Sequence, residues 1–319
     1  PEIYLQEAIG FEAERFKGLV VTNELLDIER EAVRSEYSTK FDSSPVIDLW
    51  FSIYNKAFPG HPFEWMIVGF KDDLDRISAE DCTSFFERYY VPNNVGLVIA
   101  GNIDVEQTLK WVNAAYGDWK PGEKSELPDM YAHSTSYTQA VGKLESRTHM
   151  VMGGYRIPYI HTHDVLGLEL LNHIVFDSSL NLAKRRLLDD QKMVSAVDGF
   201  NFHYDLGMIK FIVNLFPGVS IDDLRKQLTA LRADLDALSE DQFESYLREF
   251  QIDTAESILA NQDLAMTVIY CWGKYHDLSY LKQIVDQNIS VNKATVLRLF
   301  DQYLVEDNLT LVQSPILEK

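Results

Sequence analysis

Ile77-Ser78-Ala79-Glu80-Asp81 runs through Phe85-Phe86-Glu87-Arg88-Tyr89-Tyr90 to Asn93-Asn94 and the apolar stretch Val95-Gly96-Leu97-Val98-Ile99-Ala100, and this pattern recurs later in the chain. Ile289-Ser290 opens the second version, which reaches Phe300-Asp301-Gln302-Tyr303-Leu304, then Asp307-Asn308 and Leu309-Thr310-Leu311-Val312. The two lie 212 to 214 residues apart, a drift that a two-residue insertion accounts for. Upstream, Pro217 separates an apolar strand pattern over 208–216 from a helical pattern over 221–238. Pro1 likewise precedes a helical pattern, with no strand before it. A long internal period signals a duplicated unit, and terminal copies can be incomplete. The second copy opens near Thr138, so about 75 of its residues, 138 to 213, have no counterpart in the first. The expected division is 1–122 for the C-terminal part of the first copy, 123–137 for a linker and 138–319 for a second copy. The polar run Lys120–Ser136, with Pro121, Gly122 and Pro128, carries the linker signal.

Helical periodicity runs through Glu2–Leu19, Glu24–Thr39, Val46–Lys56, Ala79–Tyr90 and Val105–Tyr116, with a strand expected at Val95–Ala100. The second copy opens with a strand near Met150–Ile157, then helices over Asp164–Phe176 and Ser179–Asp189. Strands follow near Met193–Phe200 and Met208–Phe216, then helices from Ile221 to about Gln287 and over Lys293–Tyr303, then the last strand. The fold class this implies is α+β. Two related domains are expected, each a mixed, mainly antiparallel sheet with helices packed on one face, the first incomplete.

An apolar share of 46% over 319 residues suffices for two cores. No apolar run reaches 18 residues, so no membrane span and no signal peptide is expected. A soluble protein follows as an expectation, periplasmic or cytoplasmic if bacterial. The net charge of −20 disfavours nucleic acid and anionic membranes as partners. Cys82 and Cys271 fall in helical patterns without CxxC spacing and read as packed thiols.

Glu29 and Glu36 stand out on a helical wheel. With Leu25 at zero and about 100° per residue, Val21, Leu25, Leu26, Ile28, Ala32, Val33 and Tyr37 share one arc. Asp27, Arg30, Glu31 and Arg34 take the opposite side, as solvated charges should. Both glutamates fall inside the apolar arc, two turns apart and pointing the same way. A carboxylate on a core-facing stripe is costly unless it meets a metal, a cation or several donors. Geometry alone leaves two readings open: pairing with an Arg or Lys of the next helix, or a metal or catalytic site.

The run Glu29-Arg-Glu-Ala-Val-Arg-Ser-Glu36, with Phe58-Pro-Gly-His-Pro62 and Ile77-Ser-Ala-Glu-Asp81, resembles the insulinase/pitrilysin zinc metallopeptidases. Tyr89-Tyr-Val-Pro-Asn-Asn94 and Leu97-Val-Ile-Ala-Gly-Asn-Ile-Asp104 extend the likeness. In that family an inverted HxxEH motif supplies two histidine zinc ligands and the general base, and a glutamate on a later helix supplies the third ligand. The resemblance implies that 1–122 is part of a catalytic-type domain. It makes Glu36 the third zinc ligand and Glu29 a supporting carboxylate in the catalytic apparatus. It also implies Zn²⁺ in the full-length protein, a peptide or small-protein substrate, and a second half-molecule or subunit of the same fold. No cofactor-binding residue beyond these is expected.

The chain departs from that family in two ways. None of His61, His133, His149, His161, His163, His173, His203 and His276 has His-x-x-Glu-His spacing. The second copy's equivalent helix, Asp164–Phe176, holds only His173, so that copy reads as non-catalytic. One carboxylate does not make a stable zinc site, so the chain is expected to bind no zinc there and to be inactive alone. Active members also place an Arg and a Tyr seven residues apart in a companion domain to hold substrate; here Leu188 and Ser195 take those places. An N-terminally truncated fragment of a peptidase is one reading. A non-catalytic scaffold subunit of the same fold, like the core subunits of some respiratory complexes, is the alternative. His161-Thr-His163 reads as a solvated turn with Asp164 capping the next helix, Ser178-Ser179 as helix caps, and His61 as loop structure. Trp50, Phe51, Tyr54, Phe58, Phe63 and Trp65 read as interdomain core.

Overall fold

The computed structural model describes residues 2–65, 68–123, 136–157, 164–200, 207–275, 278–286, 289 and 291–317. Most of the expected linker, the His161–His163 turn, and His133, His203 and His276 lie outside them. The early helices are α1 (Leu5–Lys17), α2 (Asn23–Lys40), α3 (Pro45–Ala57), α4 (Lys71–Leu74), α5 (Ala79–Tyr89) and α6 (Val105–Tyr116). Strands β1 (Thr138–Val141) and β2 (His149–Arg156) lead to α7 (Val165–Asn172), which continues as a π turn over His173–Asp177. The short α8 (Leu182–Lys184) runs into a second π turn, Arg185–Asp190, before β3 (Val194–Phe200) and β4 (Met208–Leu215). Helices α9 (Ile221–Asp236), α10 (Glu240–Glu256), α11 (Asn261–Tyr275), α12 (Ser279–Val285) and α13 (Lys293–Tyr303) precede β5 (Leu309–Gln313).

Two compact units divide the chain, residues 1–37, 69–128 and 258–276 forming one and the remainder the other. The larger is built on a five-stranded sheet of order β1-β5-β2-β4-β3. Only β1 and β5 run parallel; the other pairs are antiparallel, giving the mixed, mainly antiparallel sheet expected. Its two faces carry different helices. Leu49, Ile53, Tyr54, Ala57 and Phe58 of α3 and its C-terminus pack on Met150, Met152, Met208 and Val312. The opposite face stacks Phe211 on Phe176 of the first π turn, ring centroids 4.6 Å apart and nearly parallel. Alternation along β2 and β4 produces both faces, since successive side chains point opposite ways. The aromatic cluster is therefore core of this one unit, with Trp50 and Phe63 packed on it and Trp65 exposed.

Local chemistry fixes the covering helix. Ser44 caps α3 by accepting from Ile47 N–H, and Pro45 follows at the first helical position. Buried Asp48 accepts from the backbone N–H groups of Lys143 (2.5 Å) and Leu144 (2.9 Å), tying α3 to the loop after β1. Asp48→Ala leaves two donors without their acceptor, and a loss of about 2–3 kcal/mol is expected in urea denaturation. Lys210 lies fully buried on the same face, its ammonium 3.4 Å from the Trp50 ring centroid and donating to the Tyr54 hydroxyl at 3.0 Å.

The smaller unit has little interior. Among its described residues the buried apolar positions are Ile9, Ala13, Val91 and Cys271, whereas Phe11, Val20, Leu25, Ile28, Phe85, Leu97 and Val105 are exposed. The expected strand Val95–Ala100 is not a ladder strand here. A strand is completed by hydrogen bonds to a neighbour, and no described residue pairs with this segment. Gly96 lies close against α11, where a Cβ would come within 2.5 Å of Ile269 Cδ1.

Candidate functional site

Helix α2 starts at a Thr22 cap, whose hydroxyl accepts from Leu25 N–H at 3.2 Å. It docks through its arginines and one edge of the apolar arc. Arg30 donates to the carbonyls of Leu74 (2.7 Å) and Ile77 (2.6 Å), and Arg34 pairs with Asp75. These carbonyls close the end of α4 and the turn beyond it, where helix C-termini attract cations. Leu26, Val33 and Tyr37 line the same partly buried side. This reverses the wheel's expectation that Arg30 and Arg34 face water.

The other side of α2 is open. Leu25 is 53% and Ile28 62% exposed, and Glu29, Ala32 and Glu36 are exposed beside them. The stripe exists as read, but among the described residues nothing seals it. Glu29 and Glu36 lie two turns apart, about 10 Å along the axis, on that uncovered face. Arg30 pairs with Asp27, and Arg34 with Glu31 and Asp75. Each carboxylate offers oxygen donors of a kind zinc accepts, but zinc takes three or four protein ligands. Among the described residues, Glu29 and Glu36 belong to no group of three close ligand atoms.

Among the described residues such a group lies in the other unit: His173, Glu249 and Asp253, with ligand atoms all within 4.8 Å of one another. His173 opens the π turn after α7, and both carboxylates project from α10. His173 is buried, and burial lowers its pKa more than the carboxylates of Glu249, Asp253 and Asp177 raise it. In the sequence this histidine stands out only as the lone His of a helix without HxxEH. One signal in the sequence pointed further: under the 212-to-214 offset the counterpart of Glu36 falls at 248–250, where Glu249 stands.

Other expected positions resolve plainly. Leu188 is half-buried in the second π turn, and Ser195 is exposed at the irregularity where β3 shifts register against β4. Ser178 and Ser179 are not the caps of α8. Asn181 is, accepting from Lys184 N–H at 2.7 Å, while Ser179 donates to Glu249 at 3.3 Å. Asp164 stands at the N-cap of α7, but its carboxylate accepts from Arg298 at 2.7 Å and makes no capping bond. His61 is a loop residue as expected, its Nδ1 accepting from Phe63 N–H. Among the described residues neither Cys82 nor Cys271 forms a disulfide, and Cys271 is buried.

Residues 76–250, more than half of the chain, match a family described as the peptidase M16 inactive domain. The zinc protease PqqE of Helicobacter pylori is 22% identical over 293 residues, covering 89% of this chain and 65% of that protein. The chain thus spans less than two-thirds of that relative's length. The crystal structure of a protease from Helicobacter pylori superposes with a TM-score of 0.87 at 21% identity, over 98% of this chain and 77% of the other. A chain of complex III2 from Candida albicans superposes with a TM-score of 0.76 at 12% identity, over 98% and 77% respectively. At such identities the structural likeness establishes the fold.

Proposed function

The chain belongs to the peptidase M16 family, the insulinase/pitrilysin peptidases its motif run resembles, and from that premise we propose that it is part of a zinc metallopeptidase that hydrolyses peptides. Residues 1–122 form the C-terminal part of its catalytic-type domain and 138–319 the non-catalytic companion copy, joined through 123–137. Glu36 is the third zinc ligand, and Glu29 is a carboxylate behind it that orients the ligand set. The observation that carries this reading is the open face of α2, where two carboxylates stand among exposed Leu25 and Ile28 inside the motif run. Leu25 and Ile28, exposed side by side on this face, suit a surface that another segment covers.

When bound, zinc would polarise the scissile carbonyl and lower the pKa of water. This chain contributes Glu36 to holding it and Glu29 to fixing the geometry. The two histidines and the general base belong to an HxxEH segment outside these 319 residues, so the chain alone is inactive. Substrate-holding Arg and Tyr are absent at Leu188 and Ser195, and a second half-molecule or subunit of the same fold supplies them. Cleavage of a fluorogenic peptide by the complete protein, abolished by a zinc chelator and restored by Zn²⁺, is the expected result. No chelator-sensitive cleavage in a folded protein bearing HxxEH would overturn the reading.

The fold likeness to a complex III2 chain favours a second reading, a non-catalytic scaffold of the same architecture. The coding sequence upstream of Pro1 separates the two. An intact HxxEH there selects the peptidase, and a degenerate one selects the scaffold.

A further inference from the structure

We propose that His173, Glu249 and Asp253 form a binding site for a divalent transition metal of the Zn²⁺ class, joining the π turn after α7 to α10. This site rests on no part of the peptidase reading. His173 is only 4% exposed, and its Nε2 has no hydrogen-bond partner among the described residues. That nitrogen points at α10, where Glu249 Oε2 lies 3.8 Å away, too far for a hydrogen bond. Glu249 and Asp253 are one helical turn apart, so both carboxylates face the imidazole from one side. Among the described residues no Lys or Arg pairs with either carboxylate. A buried, unsatisfied imidazole nitrogen facing two uncompensated carboxylates is the arrangement a cation would resolve.

The surroundings hold these donors in place. Ser179 Oγ donates to Glu249 Oε1 at 3.3 Å and leaves Oε2 turned towards His173. The Phe250 ring packs 5.6 Å from the imidazole. Such supporting contacts orient metal ligands in known sites, and π turns recur at functional positions. Tetrahedral zinc at about 2.1 Å from each donor separates them by about 3.4 Å. The 3.8 Å pair needs to close by about 0.4 Å, and the other pairs, bounded at 4.8 Å, by up to about 1.4 Å. Glu249 also lines an open pocket of about 360 Å³ with Asn181, Lys184 and Tyr246. One imidazole and two carboxylates select the metal class. Nitrogen suits Zn²⁺ and its neighbours, whereas Mg²⁺ and Ca²⁺ take all-oxygen shells.

The test uses the untagged 319-residue chain, stripped with EDTA and dialysed against ZnCl₂ or MgCl₂, with bound metal counted by mass spectrometry and affinity taken by calorimetry. Expected are one Zn²⁺ per chain, no Mg²⁺, and a melting temperature raised by Zn²⁺. E249Q/D253N, altered on the open side of α10, is expected to lose the ion while keeping the wild-type circular dichroism. Ser179→Ala should weaken binding by about tenfold. E29Q/E36Q should still bind one ion, which separates this result from any outcome for the peptidase reading. Absence of Zn²⁺ from the folded wild-type chain, or Zn²⁺ retained by E249Q/D253N, would overturn the proposal.

Discussion

Glu36→Gln in the complete protein is expected to abolish peptide hydrolysis and to weaken Zn²⁺ binding by more than about 100-fold. Loss of supporting groups alone costs 10- to 100-fold, and a ligand carries more. Glu29→Gln should fall within that lower range. In the 319-residue chain alone, both substitutions should change stability by no more than about 0.5 kcal/mol, because both side chains are exposed on α2. The contrast is the informative part. A residue kept for packing would destabilise the chain when changed; one kept for a metal would leave the fold intact and remove the activity. Zinc content by mass spectrometry, peptide turnover and urea denaturation together read the difference.

The second large effect lies in the sheet. Phe211→Ala is expected to cost about 4 kcal/mol, because the ring is fully buried and stacked on Phe176. Gly153 stands across from it on β2, where an added Cβ would meet Phe211 Cζ at 2.1 Å. Gly153→Ala should therefore also destabilise, by overpacking. The two changes are coupled. Removing the ring makes room for the methyl, so the double variant should lose less than the sum of the singles by about 1 kcal/mol or more in denaturant melts. Strict additivity would mean the ring has shifted away from the glycine.

These two regions differ in how far the amino-acid sequence discloses them. Where an element's stability is local, the sequence was enough. α13 spans the expected Lys293–Tyr303, and α6 the expected Val105–Tyr116, each opened by an Asn or Asp cap. Where pairing decides, it was not. Thr138–Val141 has too short a pattern to announce a strand and becomes β1 by lying parallel to β5, far along the chain. Val95–Ala100 has the stronger strand composition yet finds no ladder partner among the described residues.

The site divides the same way. Periodicity correctly placed Glu29 and Glu36 on one face with Leu25 and Ile28, since that follows from helix geometry alone. Which face is buried depends on what lies opposite. The carbonyls of Leu74 and Ile77 drew Arg30 inward, which no wheel could reveal. The grouping of His173 with Glu249 and Asp253 joins a π turn to a helix more than seventy residues later, and only the internal repeat hinted at it.

A zinc-edge anomalous diffraction map of the complete protein tests the central claim most directly. The expected result is a single strong peak on the open face of α2, with a Glu36 carboxylate oxygen about 2.0–2.2 Å from it and Glu29 behind the ligands. A zinc peak on that face coordinated without Glu36, or no peak there in a folded protein carrying HxxEH, would contradict it.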